Sequence, residues 1–216
     1  MSWVKRLGQA ALVLGICLSS TANASELVNF SPELLERVEE KWGANAVKRL
    51  EAMRRLVEEN KGISETQKLK LVNDFFNLVP YYTDQQHWGV EDYWATPFEK
   101  LTTNGGDCED YSIAKYFTLR ELGVDDGKMR ITYVKALDWD EAHMVLTYAP
   151  DPRTIPVVLD NLIGEIKPAT ERKDLVPVYS FNVQGLWLAK ERGSGQYVGG
   201  SDRIGQWSAL LERLAQ

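Results

Sequence analysis

Cysteine and histidine are scarce in this sequence, with two of each among 216 residues. Cys17 lies in an N-terminal apolar segment, so the rest of the chain contains Cys108 as its single thiol and cannot form an internal disulfide. The ordinary role of a lone cysteine is that of a small buried apolar side chain. The neighbours of Cys108 in the sequence make a reactive thiol the alternative.

Positive charge and long apolar runs are also in short supply. The chain has 31 acidic and 25 basic residues and a formal net charge of −6 at pH 7. An acidic balance gives no support to binding of nucleic acid or of an anionic membrane. The apolar run at residues 10–18 is too short to span a bilayer. Neither internal repeats nor low-complexity tracts occur.

Residues 1–24 have the three-part pattern of an export signal. Lys5 and Arg6 precede the apolar run, and an Ala-Asn-Ala cleavage motif ends it at residues 22–24. We therefore expect these residues to be removed and residues 25–216 to form a single periplasmic domain without membrane insertion. Loss of the two positive charges changes the formal net charge from −6 to −8.

The N-terminal part of the chain contains the sequence patterns of two helix starts. Ser31 precedes Pro32, and Ser64 with Gln67 forms a capping-box pattern. Apolar residues at steps of three and four follow each start, and Gly43 is expected to interrupt the first helix. Residues 81–101 are aromatic and show no clear period, which predicts a long loop with a functional role.

The period of the apolar residues changes to two in the C-terminal half. Residues 129–137, 142–149 and 155–162 are predicted strands, and their short connections favour antiparallel pairing. Residues 177–189 are expected to add one or two strands, and residues 204–216 a final amphipathic helix. Helices followed by an antiparallel sheet predict an α+β fold.

Three residues form a candidate catalytic set. Cys108 begins a predicted helix, His143 lies early in the second predicted strand, and Asp160 lies near the end of the third. The intervals of 35 and 17 residues suit a helix followed by consecutive strands. A thiol at a helix start, facing a histidine that a carboxylate orients, is typical of a thiolate nucleophile. Each residue alone has an ordinary structural explanation, but together they favour a Cys-His-Asp hydrolase or transferase.

Carboxylates surround the thiol in sequence, namely Asp107, Glu109 and Asp110. Their presence is unexpected because neighbouring negative charge raises the pKa of a thiol. One interpretation is that the acids complement the helix dipole. The other is that they bind a divalent cation such as Ca²⁺, which prefers carboxylate oxygens. Backbone carbonyls of the turn at residues 123–129 are then candidates for the remaining ligands.

The segments GGDCEDYSIAKYFTLRELG, YWATPFEKL, AHMVLTY and VLDN occur in the chain, and together they resemble the bacterial transglutaminase-like cysteine proteinases. The resemblance implies a transglutaminase-like, papain-like fold with Cys108, His143 and Asp160 as the catalytic triad. It also implies calcium beside the nucleophile, bound by Asp107 and Glu109, with Asp110 as a further candidate ligand.

The same resemblance implies a physiological role. Such an enzyme is a calcium-dependent periplasmic cysteine endopeptidase that cuts the N-terminal region of a large surface adhesin near an Ala-Ala site. Cleavage releases the adhesin and promotes biofilm dispersal. The implied inhibitory partner is an inner-membrane cyclic-di-GMP receptor of the LapD type. Two alternatives stay open on the residues: a transglutaminase-like acyltransferase and a catalytically silent binding module.

Overall fold

The computed structural model describes residues 27–189 and 195–215, so the predicted signal at residues 1–24 lies outside the described residues. Most of the helices precede the strands along the chain. They are α1 (Pro32–Trp42), α2 (Ala44–Asn60), α3 (Glu65–Asn77), α4 (Asp84–His87), α5 (Pro97–Thr103), α6 (Cys108–Glu121) and α7 (Gly205–Leu214). None of the described helices combines the length and the apolar character needed to cross a membrane.

The predicted helix starts are confirmed. The Ser31 hydroxyl accepts a hydrogen bond of 3.2 Å from the Leu34 N–H at the start of α1. Ser64 and Gln67 complete both halves of the capping box of α3. Gly43 separates α1 from α2 with a φ of 82°, which a residue with a Cβ rarely adopts.

The aromatic segment at residues 81–101 is more regular than its sequence predicts. It contains α4 and most of α5, and each of these helices begins with a capping box. Thr83 pairs with Gln86, and Thr96 pairs with Glu99. Helices of four and seven residues are too short to establish an apolar period, so only their caps carry a signal in the sequence.

The described strands form one antiparallel sheet, which confirms the predicted α+β class. Its order is β4-β3-β2-β1-β5-β6-β7, and every neighbouring pair is antiparallel. The strands are β1 (Met129–Ala136), β2 (Glu141–Tyr148), β3 (Val157–Leu159), β4 (Lys167–Pro168), β5 (Leu175–Asn182), β6 (Gly185–Leu188) and β7 (Gln196–Gly199).

Strand β3 is shorter than the predicted strand at residues 155–162. Pro156 precedes it and has no N–H to donate to the sheet. At its other end, the Asp160 carboxylate accepts a hydrogen bond of 3.1 Å from the Leu162 N–H, which turns the chain out of the sheet. Strands β4 and β7 were not predicted, because two and four residues are too few to show alternation.

Helix α6 lies at the centre of the domain. It packs against α3 and α5 on one side and against β1 and β2 on the other. Ile113, Ala114, Tyr116 and Leu119 are fully buried along it. Trp207 of α7 stacks on Phe117 of α6 with ring centroids 5.6 Å apart. Because the helix is enclosed, the position of its first residue is fixed by the packing of the whole core.

Candidate active site

Cys108 is the first residue of α6, and its side chain is half-buried. Its thiol donates a hydrogen bond of 3.0 Å to Oε2 of Glu109. The backbone of Met144 also approaches the sulfur, where it acts to lower the pKa of the thiol. Met144 follows His143 on β2, so this contact places the thiol at the strand that carries the histidine. The N-terminus of a helix also favours the thiolate form.

His143 and Asp160 are joined directly. Nε2 of His143 lies 2.8 Å from Oδ1 of Asp160, and both side chains are buried. The pairing of β2 with β3 brings them together, because Leu146 on β2 lies opposite Leu159 on β3. Since Asp160 engages Nε2, the ring nitrogen left for the thiol is Nδ1.

The Asp160 carboxylate is fully hydrogen bonded. Its Oδ1 accepts from His143 and from the Leu162 N–H, and its Oδ2 accepts from Arg172 Nη2 at 2.7 Å. Burial raises the pKa of Asp160, but the hydrogen bond and charge of His143, with the other two donors, outweigh it and hold the pKa below its ordinary value. Asp160 is therefore ionised and able to orient the imidazole. Arg172 had no sequence signal and was missed.

The loop that leads into α6 is closed by Asp110. Its Oδ1 accepts from the Ala95 N–H at 2.6 Å, and its Oδ2 accepts from the Asp107 N–H at 3.3 Å. The Gly106 carbonyl accepts from the Tyr82 N–H at 3.1 Å. These bonds tie Asp107 to the first turn of α6, that turn to Ala95, and Gly106 to Tyr82. Asp110 thus caps the helix, while its predicted role as a metal ligand stays a prediction.

Two further acids meet the predicted ones. Asp84, at the start of α4, and Asp92 converge with Glu109, and their ligand atoms lie within 4.8 Å of one another. Asp84 also forms such a group with Asp107 and Asp110. Within the part of the chain that the structure describes, all groups able to hold a metal include a residue of this acidic cluster, defined as Asp84, Asp92, Asp107, Glu109 and Asp110. Sequence reasoning missed Asp84 and Asp92, although the capping box at Thr83 was a signal for an ordered acid at Asp84.

Two buried oxygens of the acidic cluster have no hydrogen-bond partner in the described part of the chain. Oδ1 of Asp84 and Oδ1 of Asp107 are both buried and accept no hydrogen bond among the described residues. An unpaired buried carboxylate oxygen is costly, because it has lost its water without gaining a donor. Hard oxygen donors of this kind fit Ca²⁺, so the residues present suit the predicted ion.

The pKa shifts in and around the acidic cluster also favour a bound cation. Burial raises the pKa of Asp84, Asp107 and Glu109, and the negative charge of Glu109 raises that of Asp107 further. Burial, then the charge of Glu109, raises the pKa of the Cys108 thiol well above its ordinary value. The Nζ of Lys100, which is fully buried 3.3 Å from the ring centre of Tyr111, supplies some positive charge nearby.

The expectation that carbonyls of residues 123–129 complete the metal shell is wrong. That turn follows the C-terminal end of α6, and the metal candidates lie at its start. A helix of 14 residues is about 20 Å long. Asp126 instead accepts a hydrogen bond of 2.7 Å from the Tyr116 hydroxyl and pairs with Arg120.

The chain is similar to a known protein family and to solved structures. The family model described as bacterial transglutaminase-like cysteine proteinase BTLCP matches residues 46–188. Calcium-bound LapG of Legionella pneumophila is 41% identical over 84% of this chain and 98% of that chain, with a TM-score of 0.72. EGTA-treated LapG of the same organism is 41% identical over 84% of this chain and 96% of that chain, with a TM-score of 0.75. No curated protein matches the chain.

The matched segment covers the site as well as the fold. It begins in α2 and ends with β6, and it includes Cys108, His143, Asp160 and the whole acidic cluster. The resemblance stated from the sequence motifs and the predicted transglutaminase-like fold are both confirmed. The chain belongs to the bacterial transglutaminase-like cysteine proteinase family.

Proposed function

We propose that this chain is a calcium-dependent periplasmic cysteine endopeptidase with Cys108, His143 and Asp160 as its catalytic triad. The observation that carries the proposal is the 2.8 Å hydrogen bond between His143 Nε2 and Asp160 Oδ1. His143 lies on β2, the strand against which α6 packs. Family membership supports the reaction class, and this geometry supports His143 as the base and Asp160 as the acid that orients it.

All three residues of the proposed triad act in the acylation step. His143 accepts the thiol proton at Nδ1, and the Cys108 sulfur attacks the carbonyl carbon of the scissile peptide bond. The imidazolium then donates the proton to the departing amine nitrogen, so the C–N bond breaks and a thioester forms. Asp160 holds the imidazole in the tautomer that presents Nδ1 and stabilises its positive charge.

Deacylation reverses the roles. His143 removes a proton from a water molecule that attacks the thioester carbon, and the proton returns to the Cys108 sulfur as the carboxylic acid product leaves. The backbone N–H of Cys108, at the start of α6, has no helical acceptor and is a donor for the oxyanion.

Calcium is assigned to the acidic cluster, with Asp84, Asp107 and Glu109 as principal ligands. Bound there, the ion supplies positive charge that offsets the carboxylates beside the thiol. Asp107 and Glu109 flank Cys108 directly, so their binding of one ion would hold the start of α6. Relief of their negative charge lowers the pKa of the thiol toward the range in which His143 deprotonates it.

The substrate and regulator follow from the resemblance of the motifs. The proposed substrate is the N-terminal region of a large surface adhesin, cut near an Ala-Ala site and thereby released to promote biofilm dispersal. The proposed regulator is an inner-membrane cyclic-di-GMP receptor of the LapD type, which sequesters the protease. Export by residues 1–24 would bring this protease to the periplasm, where it meets both of them.

The test is cleavage of the N-terminal region of a candidate adhesin, with calcium or with EGTA, followed by sequencing of the new terminus. We expect cleavage with calcium and little with EGTA. The variants Cys108→Ala and His143→Ala should lose cleavage, whereas Asp74→Asn, an exposed change on α3, should retain it. Persistent cleavage by Cys108→Ala contradicts the proposal. Isopeptide products in mass spectra indicate the acyltransferase instead.

A further inference from the structure

Arg172 is bound to the oxygen of Asp160 that His143 leaves free. His143 engages Oδ1, and Arg172 Nη2 donates a hydrogen bond of 2.7 Å to Oδ2. The side chains of Arg172 and Asp160 retain only 2% and 0% of their exposure. A buried ion pair is not a general source of stability, because desolvation offsets much of its attraction. Its location on the triad carboxylate therefore calls for a functional explanation.

Arg172 is itself held in place. Its Nε donates to Oδ1 of Asp174 at 3.0 Å, and its Nη2 donates to Oδ2 of Asp174 at 2.7 Å. Its backbone N–H donates to the Ala169 carbonyl at 3.2 Å. A planar guanidinium held at two nitrogens by the Asp174 carboxylate directs the second N–H of Nη2 to Asp160 in one fixed direction. When the imidazole is charged, positive and negative side chains alternate along the series His143, Asp160, Arg172 and Asp174.

We propose that Arg172 is a positioning residue of the triad: it fixes the plane of the Asp160 carboxylate so that Oδ1 faces His143 throughout the reaction. Without it, the carboxylate has only the Leu162 N–H and the imidazole to set its rotation. This inference rests on the proposed function, because it assigns Arg172 to the same triad. It concerns the orientation of the imidazole and involves no contact with substrate.

The first readout separates turnover from binding. Arg172→Met removes the charge and the fork at similar length, and we expect kcat to fall about 10- to 100-fold while KM stays within about twofold. Arg172→Lys keeps the charge but loses the forked guanidinium, so its kcat should lie between those of the wild type and Arg172→Met. The matched control is Arg120→Met, which breaks an ion pair with Asp126 at the far end of α6 and should leave kcat unchanged.

The second readout does not depend on activity. In the inactive Cys108→Ala background, the ring proton shared by His143 and Asp160 should give a low-field NMR signal. His87, the only other histidine, serves as the internal reference. Adding Arg172→Met, or Arg172→Lys, should broaden or abolish the His143 signal and leave the His87 signals in place. A purely structural role for Arg172 lowers the melting temperature without this selective change.

The two readouts keep this inference distinct from the proposed function. If His143→Ala retains cleavage, the triad itself is refuted, whatever Arg172 does. If His143→Ala is inactive but folded Arg172→Met has wild-type kcat and an unchanged His143 signal, the positioning role is overturned and the triad stands. Should Arg172→Met fail to fold, the same criteria apply to Arg172→Lys and to Asp174→Asn, which loosens Arg172 without removing it.

Discussion

The thiol of Cys108 donates a 3.0 Å hydrogen bond to Oε2 of Glu109, the next residue in α6. This contact stabilises the neutral thiol, because the carboxylate accepts the proton that the nucleophile must lose. Glu109 also belongs to the acidic cluster. One side chain therefore connects the proposed metal site to the ionisation of the nucleophile.

Alkylation of Cys108 should respond to calcium. Neutralising Glu109 and Asp107 lowers the pKa of the thiol, and each unit gives about tenfold more thiolate at neutral pH. We expect the iodoacetamide rate at pH 7 to rise about tenfold or more on adding calcium, measured by intact-protein mass spectrometry. Glu109→Gln should label faster than wild type without calcium and gain less from it. Slow, calcium-insensitive labelling of the wild type indicates the silent binding module.

Asp84 should contribute strongly to calcium affinity. Its buried Oδ1 accepts no hydrogen bond among the described residues, and Asp84→Asn replaces the charged oxygen with a neutral amide of the same shape. We expect Asp84→Asn to weaken calcium binding about tenfold or more in isothermal titration calorimetry, and the exposed Asp92→Asn to weaken it less. The control is Asp74→Asn on the surface of α3. Wild-type affinity in Asp84→Asn removes Asp84 from the ligand set.

A side chain at Gly106 should damage the approach to the nucleophile. Gly106 has a φ of 145°, and a Cβ there would lie 2.2 Å from Oδ2 of Asp110, which caps α6. Gly106→Ala should therefore cost about 2 kcal/mol or more, which lowers the melting temperature by roughly 4 to 8 °C. Gly62→Ala is the matched control, since nothing lies within 4 Å of a Cβ at Gly62. Equal melting temperatures for the two variants contradict this reading of the loop.

The buried amine of Lys115 should make the free energy of unfolding depend on pH. Burial lowers its pKa from 10.5 to about 7, although the charge of Asp160 opposes this. Between these values the unfolded chain binds a proton that the folded chain does not, so the free energy of unfolding rises with pH, by at most about 1.4 kcal/mol per unit. Below pH 7 both states are protonated and this contribution to the slope disappears.

The variant Lys115→Met tests that assignment. It should abolish this part of the pH dependence and raise the free energy of unfolding near pH 7 by roughly 2 to 4 kcal/mol. Urea denaturation at several pH values measures both quantities. Lys70→Met, at an exposed lysine of α3, should leave the pH dependence as in wild type. A wild-type slope in Lys115→Met contradicts a neutral buried amine at this position.

Local chemistry made much of the fold predictable. The caps at Ser31 and Ser64 are formed within four residues, so the sequence contains all the atoms involved. The start of α6 and strands β1 and β2 were predictable for a similar reason, because a helix start and a period of two are patterns of neighbouring residues. The triad candidates were also predictable, because a lone thiol and two histidines leave few combinations. Their geometry, by contrast, depends on strand pairing that no local pattern specifies.

The remaining features depend on contacts between distant residues. Asp84 meets Glu109 only because the chain folds back over the start of α6, and the sequence between them shows no period. Arg172 reaches Asp160 from the connection between β4 and β5, where a charged residue is the surface norm. The turn at residues 123–129 was misjudged because proximity in sequence to α6 was taken for proximity to its first residue.

The environment of Cys108 also bears on oxidation. The thiolate is the species that peroxides convert to sulfenic acid, and a neutral thiol is far less reactive. Because burial and Glu109 raise the pKa of Cys108, they also protect it from this damage. In an oxidising compartment, a single cysteine without a resolving partner has no disulfide in which to store an oxidised state. The carboxylate beside the nucleophile therefore protects the thiol from oxidation while no cation offsets its negative charge.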